Sequence, residues 1–184
     1  MRDMQNLDFQ PADVFFLIHS KNDISKAIAK VTGSRWSHAG MIMEIGVFAT
    51  YTIETCDFNV WTNHFEKYLT DQWVEMEVFR PKRELPMKEQ IVKAAQKTHG
   101  TIYGFLQFIS LGIRARISRL IPNFIRQGIV CNQVVLSGLT VSDIPGFQGI
   151  DPESMDQEEL YKLVKNSPDF ELVFEKKAGE KWAF

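Results

Sequence analysis

Ser34-Arg-Trp36-Ser37-His38-Ala-Gly40-Met-Ile-Met-Glu-Ile45-Gly46, continuing through Val47 to Thr52-Ile-Glu54, is the stretch that decides how this chain folds. Residues 40–45 and 47–54 are rich in β-branched and aromatic side chains and read as two strands. Gly46 between them is the expected turn. A hairpin centred on Gly46 sets His38 opposite Glu54, on the face that also carries Ile42 and Thr50. Directly opposed side chains have Cβ atoms about 4.5–5.5 Å apart. A carboxylate at that distance bonds one imidazole nitrogen and fixes its tautomer. A register slip of one residue would abolish the alignment.

Upstream, Asp13-Val-Phe-Phe-Leu-Ile18 is a continuous apolar run fit for a buried strand. Asn22 or Asp23 can cap a following helix with Ile24, Ala27, Ile28 and Val31 at helical spacing and Gly33 at its end. Downstream, residues 73–79 alternate. Val74, Met76 and Val78 point one way and Glu75 and Glu77 the other, which predicts a half-buried strand. Pro86 opens a helix with Met87, Ile91, Ala94 or Ala95 and Thr98 on one face, ended by Gly100. Residues 103–126 read as helical in pieces, broken near Gly112 and Pro122. Residues 131–138 read as another helix. Ser154 and Gln157 form a capping-box pattern for a helix through Val164, and residues 170–175 read as a closing strand. Strands cluster early and helices late, so the expected class is α+β, an antiparallel sheet packed against helices.

The chain has 184 residues, a length that suits a single domain over 1–184. Apolar residues make up 45% and charged residues 24%, which excludes collagen-like, disordered and disulfide-scaffold classes. Lys plus Arg number 21 against 23 Asp plus Glu, a net charge of -2 that argues against a dedicated nucleic-acid binder. Cys56 and Cys131 form no CxxC pair and no framework, which points to a reducing compartment. The first residues lack the apolar core of a secretory signal. The longest apolar stretch, residues 102–113, is interrupted by Gln107 and Ser110 and falls short of the roughly 20 residues a spanning helix needs. The expectation is therefore a cytoplasmic protein without a transmembrane segment.

Phosphate loops, GxGxxG, HExxH, paired Cys/His metal spacings and GxSxG elbows do not occur, and no cofactor or metal is expected. What remains is Cys131 at the start of a helix. There the partial positive charge and unpaired N–H groups favour a thiolate and can hold an oxyanion. Taken alone, a cysteine is more often a small buried hydrophobe. A nucleophilic thiol needs a histidine. Of His19, His38, His64 and His99, the last sits at a helix end, His64 lies in a polar, loop-like stretch, and His19 ends a strand. His38 has the most structured setting, with two small residues after it.

The ordered set Asp13-Val-Phe-Phe-Leu, Ser37-His38-Ala-Gly-Met-Ile, Thr52-Ile-Glu54, Tyr103-Gly and Cys131-Asn-Gln-Val-Val resembles the circularly permuted papain-like NlpC-type superfamily. It looks most like the YiiX/YebB-like branch, as does the tail with Asp151-Pro-Glu-Ser-Met and Ser167-Pro-Asp-Phe170. In that permuted arrangement the His-bearing strand precedes the Cys-bearing helix. The resemblance implies a thiol hydrolase or acyltransferase acting on amide or ester bonds. By position, Cys131 matches the nucleophile, His38 the general base and Glu54 the residue that orients it. Tyr103 matches a recurrent aromatic that lines the substrate site, and Ser37 and Trp36 are expected to border it. Two positions depart from the pattern: Ala12-Asp13 stands where Gly-Asp is usual, and Cys131 is followed by Asn-Gln where Ser-Glu is commoner.

The implied substrates are a peptide, an isopeptide or an acyl lipid. The segment 102–126 combines Phe105, Leu106, Phe108, Ile109, Leu111 and Ile113 with Arg114, Arg116, Arg119 and Arg126. Core helices are its first reading; an acyl pocket or peripheral contact with an anionic membrane is the alternative. The rivals to a peptidase or amidase are a lipid acyltransferase or phospholipase of the same fold, and a binding module without catalysis.

Overall fold

In the computed structural model, which describes residues 2–3, 7–46, 49–56, 59–102 and 129–183, six strands build one antiparallel sheet. The chain runs β1 (Arg2–Asp3), β2 (Val14–His19), α1 (Asp23–Thr32), β3 (His38–Ile45), β4 (Thr50–Cys56), β5 (Asn59–His64), α2 (Glu66–Thr70), β6 (Val74–Pro81), α3 (Leu85–Gln96), α4 (Cys131–Leu139), α5 (Gln157–Asn166), β7 (Phe170–Lys176) and β8 (Trp182–Ala183). The sheet order is β5-β4-β3-β2-β6-β7, and β1 pairs with β8 separately. The α+β class expected from the pattern is the class observed.

The apolar run of β2 is explained by burial on both faces. Val14 and Phe16 enter a core with Trp36, Met41, Ile91, Val134 and Tyr161. Phe15 and Leu17 enter a second one with Phe65, Leu69, Met76 and Phe174. Each such side chain contributes roughly 1.5–3 kcal/mol on burial. Asp13, just before β2, is fully buried and receives two hydrogen bonds of 2.9 Å from Arg80 on β6. Ala12 has φ 69°, in the left-handed region. The resembled family carries glycine at this position, and the backbone shows why: a side chain there is strained.

Helix α1 starts on the Asn22 side chain, which accepts from the Ser25 N–H at 3.0 Å, and Gly33 closes it. Helix α3 carries Pro86 in its first turn, as expected, and buries Ile91, Val92, Ala94 and Ala95. Helix α4 lies directly on α3 and β3 because Gly138 has no side chain. A Cβ there would come within 2.9 Å of both the Ile91 carbonyl oxygen and the Met41 methyl.

Several expectations are corrected. Residues 61–64, read as a polar, loop-like stretch, belong to the edge strand β5; the alternation is hidden because an edge strand of one-sided burial keeps polar residues such as Thr62 and Asn63. Strand β6 is covered on both faces, not half-buried. Glu77 is buried and bonded by Arg35 and by the Tyr161 hydroxyl at 2.9 Å. The capping box of α5 is Asp156 with Glu159, not Ser154 with Gln157. The helical pieces expected over 103–126, with Tyr103 among them, lie outside the described residues. Among the described residues no helix is long and apolar enough to cross a membrane.

Candidate active site

The hairpin places Glu54 opposite Gly40, not opposite His38. The register differs by two residues from one centred on Gly46, because the turn runs through Ala49 and an irregularity follows Ile42. An even shift preserves the face. His38 is therefore a diagonal neighbour of Glu54 on the same side, within reach of a long side chain. Gly40 makes this approach possible. A Cβ on Gly40 would stand 2.4 Å from the Phe15 ring and 3.0 Å from the Glu54 Cβ. In its absence the Phe15 ring packs beneath both groups, with its centroid 6.1 Å from that of His38.

Glu54 is fully buried, and every donor around it is a defined side chain. Its Oε2 accepts from His38 Nε2 at 2.5 Å and from the Tyr68 hydroxyl at 2.5 Å. Its Oε1 accepts from the Thr52 hydroxyl at 3.0 Å and pairs with Lys67 Nζ at 3.2 Å. Lys67 and Tyr68 come from α2, a helix of five residues. That short element is anchored at both ends. The Phe65 N–H donates to the Thr50 carbonyl at 2.9 Å, and the buried Lys176 ammonium donates to the carbonyls of Tyr68, Asp71 and Val74.

Cys131 opens α4 and is 8% exposed. Among the described residues, two groups meet its side chain. One is the His38 ring, which lies beside Cys131 close enough for the two to share charge and a proton, with its Nε2 committed to Glu54. The second is Gln157 at the start of α5, whose Oε1 lies 3.1 Å from Sγ. Asn132, next along α4, donates to the Met155 carbonyl at 2.5 Å and so ties the two helix starts together.

The titration of the pair follows from these contacts. Burial works against a charge on His38, whose side chain is 18% exposed, but hydrogen bonds to Cys131 and Glu54 and the Glu54 charge outweigh it and raise the imidazole to about 9. Burial also pushes the Glu54 carboxyl up, but its hydrogen bond and charge interaction with His38, joined by Lys67 and Tyr68, hold it down at about 2. At neutral pH the two form an imidazolium–carboxylate pair beside the sulfur.

The structure thus brings His38, Glu54 and Cys131 together, across 93 residues from first to last. It does not add Trp36 or Ser37. Trp36 is fully buried against Tyr161, with ring centroids 5.7 Å apart, and Ser37 bonds the Leu17 carbonyl and the Ser25 hydroxyl. Both pack where substrate contact was expected, because the turn into β3 directs them toward the core. Tyr103 lies outside the described residues. The other histidines are engaged elsewhere: His19 with Asp71 at 3.0 Å, His64 against Tyr51 and His99 against Trp61. Thr52, Lys67, Tyr68 and Gln157 are site residues that sequence reasoning missed. Thr52 had a signal, since it stands two residues before Glu54 on the same strand face. The other three are brought in by tertiary packing.

Comparison with known proteins gives one kind of support. No protein-family model matches the chain, and no curated protein matches it. The crystal structure of the metalloprotein yiiX from Escherichia coli O157:H7, a DUF1105 protein, is similar over 91% of this chain and 97% of its own, with a TM-score of 0.58 and 18% sequence identity. This likeness concerns the fold, and it agrees with the YiiX-like resemblance of the motifs. The metal in that title is said of that protein. Among the described residues no group of three or more His, Cys, Asp or Glu side chains gathers in a way that could hold an ion.

Proposed function

We propose that this chain is a permuted papain-like thiol hydrolase that cleaves an amide or ester bond through Cys131, His38 and Glu54. The observation that carries the reading is the His38 ring set between two partners, bonded through Nε2 to Glu54 at 2.5 Å and lying beside Cys131 at the start of α4. An imidazolium beside sulfur favours the thiolate, which is the nucleophilic form. The order of the chain, with the His-bearing strand before the Cys-bearing helix, fits the permuted arrangement.

Cys131 and His38 rest as an ion pair, the thiol proton held on His38 and the electron pair on sulfur. The thiolate attacks the substrate carbonyl carbon, forming a C–S bond and an oxyanion. The N–H groups at the start of α4, beside Cys131, are the donors that would meet the developing charge. His38 then returns its proton to the leaving nitrogen or oxygen as that bond breaks. Water, deprotonated by His38, attacks the thioester and releases the acid and the thiol; an amine or hydroxyl acceptor in its place makes the same chemistry an acyl transfer. Glu54 keeps the ring in one orientation and one tautomer throughout.

The test uses an electrophile, iodoacetamide, with mass mapping, followed by turnover of peptide, isopeptide and acyl-ester substrates. Cys131 is expected to label well below about pH 8, where an ordinary thiol is still protonated. Cys131→Ala is expected to abolish turnover and leave the fold intact. Retained turnover in that variant would exclude Cys131 as nucleophile, and a reactive thiol without turnover of any of the three substrate classes would favour a binding module.

A further inference from the structure

Gln157 is read from the sequence as a helix-start residue, and its backbone is one. It follows the Asp156 cap, whose carboxylate accepts from the Glu159 N–H at 2.8 Å, while the Glu159 carboxylate accepts from the Asp156 N–H at 2.8 Å. This reciprocal pair leaves the Gln157 side chain with no part in the cap. That side chain is directed at the sulfur instead, with Oε1 3.1 Å from Cys131 Sγ, and the residue is 5% exposed. Its Nε2 is buried and has no hydrogen-bond partner among the described residues.

A buried amide N–H without an acceptor is unfavourable, and the arrangement has a simple remedy. The two ends of a glutamine amide have nearly the same shape, and a half-turn about Cγ–Cδ exchanges them. With oxygen toward sulfur, the amide accepts a hydrogen bond from a thiol. With nitrogen toward sulfur, it donates one to a thiolate. The second orientation gives the orphaned N–H its acceptor, and it matches a sulfur that has lost its proton.

We propose that Gln157 is the hydrogen-bond donor that holds the Cys131 thiolate, its amide turning oxygen-out and nitrogen-in as the thiol proton moves to His38. The balance is simple. The S–H bond breaks, the proton goes to the imidazole nitrogen, the electron pair stays on sulfur, and the amide exchanges an accepted hydrogen bond for a donated one. The inference rests on the thiol-hydrolase reading and adds to it a second partner for the nucleophile, delivered from the C-terminal part of the chain. The hydrogen bond from Asn132 to the Met155 carbonyl fixes the distance between the two helix starts, so the amide is presented to sulfur without a loop having to close.

The experiment follows the rate of Cys131 alkylation by iodoacetamide against pH, in the full chain and in Gln157→Met and Gln157→Glu, with mass mapping. Methionine keeps the length of the side chain and removes the donor; glutamate keeps the shape and adds a negative charge. The midpoint is expected to rise by about one pH unit in Gln157→Met, a roughly tenfold slower reaction on the acid side, and further in Gln157→Glu. In the unaltered protein, the side-chain amide NMR signals of Gln157 are expected to titrate with the same midpoint as alkylation, a readout that needs no variant to fold. An unchanged midpoint in folded Gln157→Met, or amide signals flat across the alkylation midpoint, would overturn the inference and leave the hydrolase reading standing. A wild-type Cys131 that reacts only as an ordinary thiol, with no response to loss of His38, would remove both.

Discussion

Glu54 and Cys131 flank the same imidazole, yet they are held in opposite ways. The carboxylate is over-determined, with donors from His38 on β3, Thr52 on its own strand and both Lys67 and Tyr68 on α2. The sulfur meets two side chains, His38 and Gln157, at the starts of a strand and a helix. A saturated carboxylate has one ionisation state and one position, so it can fix the ring. A sparsely bonded sulfur keeps lone pairs available for a carbonyl. In the proposed reaction, rigidity then lies on the side of the imidazole that does no bond-making.

The largest expected effect breaks the saturated side. Glu54→Ala leaves an imidazolium, an ammonium and a phenol facing a void and is expected to destabilise the fold by about 3–5 kcal/mol. Urea unfolding at pH 7 measures it, and a loss under about 1 kcal/mol would mean that the carboxylate is less committed than its four contacts imply.

Next comes the pH dependence of the pair. His38 is raised from 6.5 to about 9, so its contribution is complete below pH 6.5 and disappears as pH rises through 9. Glu54 is lowered from 4.5 to about 2, so its contribution is complete above pH 4.5 and is lost as pH falls through 2. The pair should therefore support the fold best between pH 4.5 and 6.5. The stability difference between wild type and His38→Gln is expected to shrink on the order of 2–3 kcal/mol from the slightly acid range to pH 9. A difference that grows with pH would contradict the charged pair.

Tyr68→Phe removes one of four donors while the ring stays packed against Phe15 and Phe65. A loss of about 1–2 kcal/mol is expected, with Cys131 alkylation slowed only a few-fold, because Thr52 and Lys67 still hold the carboxylate. Loss of reactivity as complete as in His38→Gln would instead place Tyr68 at the chemistry. The smallest effect has the opposite sign and lies outside the comparison, as its control. Ala12→Gly relieves a left-handed alanine and is expected to stabilise the chain by about 0.5–1 kcal/mol, read as a higher Tm with alkylation unchanged.

Much of this arrangement is legible in the residues, and the limits have definite causes. Period-two alternation puts His38 and Glu54 on one face whatever even register is chosen, so their meeting survived an incorrect turn. Which cross-strand partner Glu54 takes depended on the turn through Ala49 and the irregularity after Ile42, neither of which has a local pattern. Strand β5 was missed because Thr62, Asn63 and His64 are polar residues of an edge, and α2 because five residues are too few for helical periodicity to register. Trp36 and Ser37 were misjudged by adjacency. Both precede β3, where strand alternation does not apply, and the chain entering the strand buries both while His38 faces the site.

Sequence alone determined the class of elements, the two-sided burial of β2, the shared face of His38 and Glu54, and the start of α4 at Cys131. These follow from local rules: side-chain period, cap chemistry and the limited conformations of each residue type. The tertiary structure alone decided that the helix start at Cys131 meets the strand start at His38, that Lys67 and Tyr68 surround Glu54, and that Gln157 turns from a cap position to the sulfur. Those contacts join residues 13 to 93 positions apart. Only the packing of α3, α4 and α5 against the sheet sets such distances, and no local pattern records them.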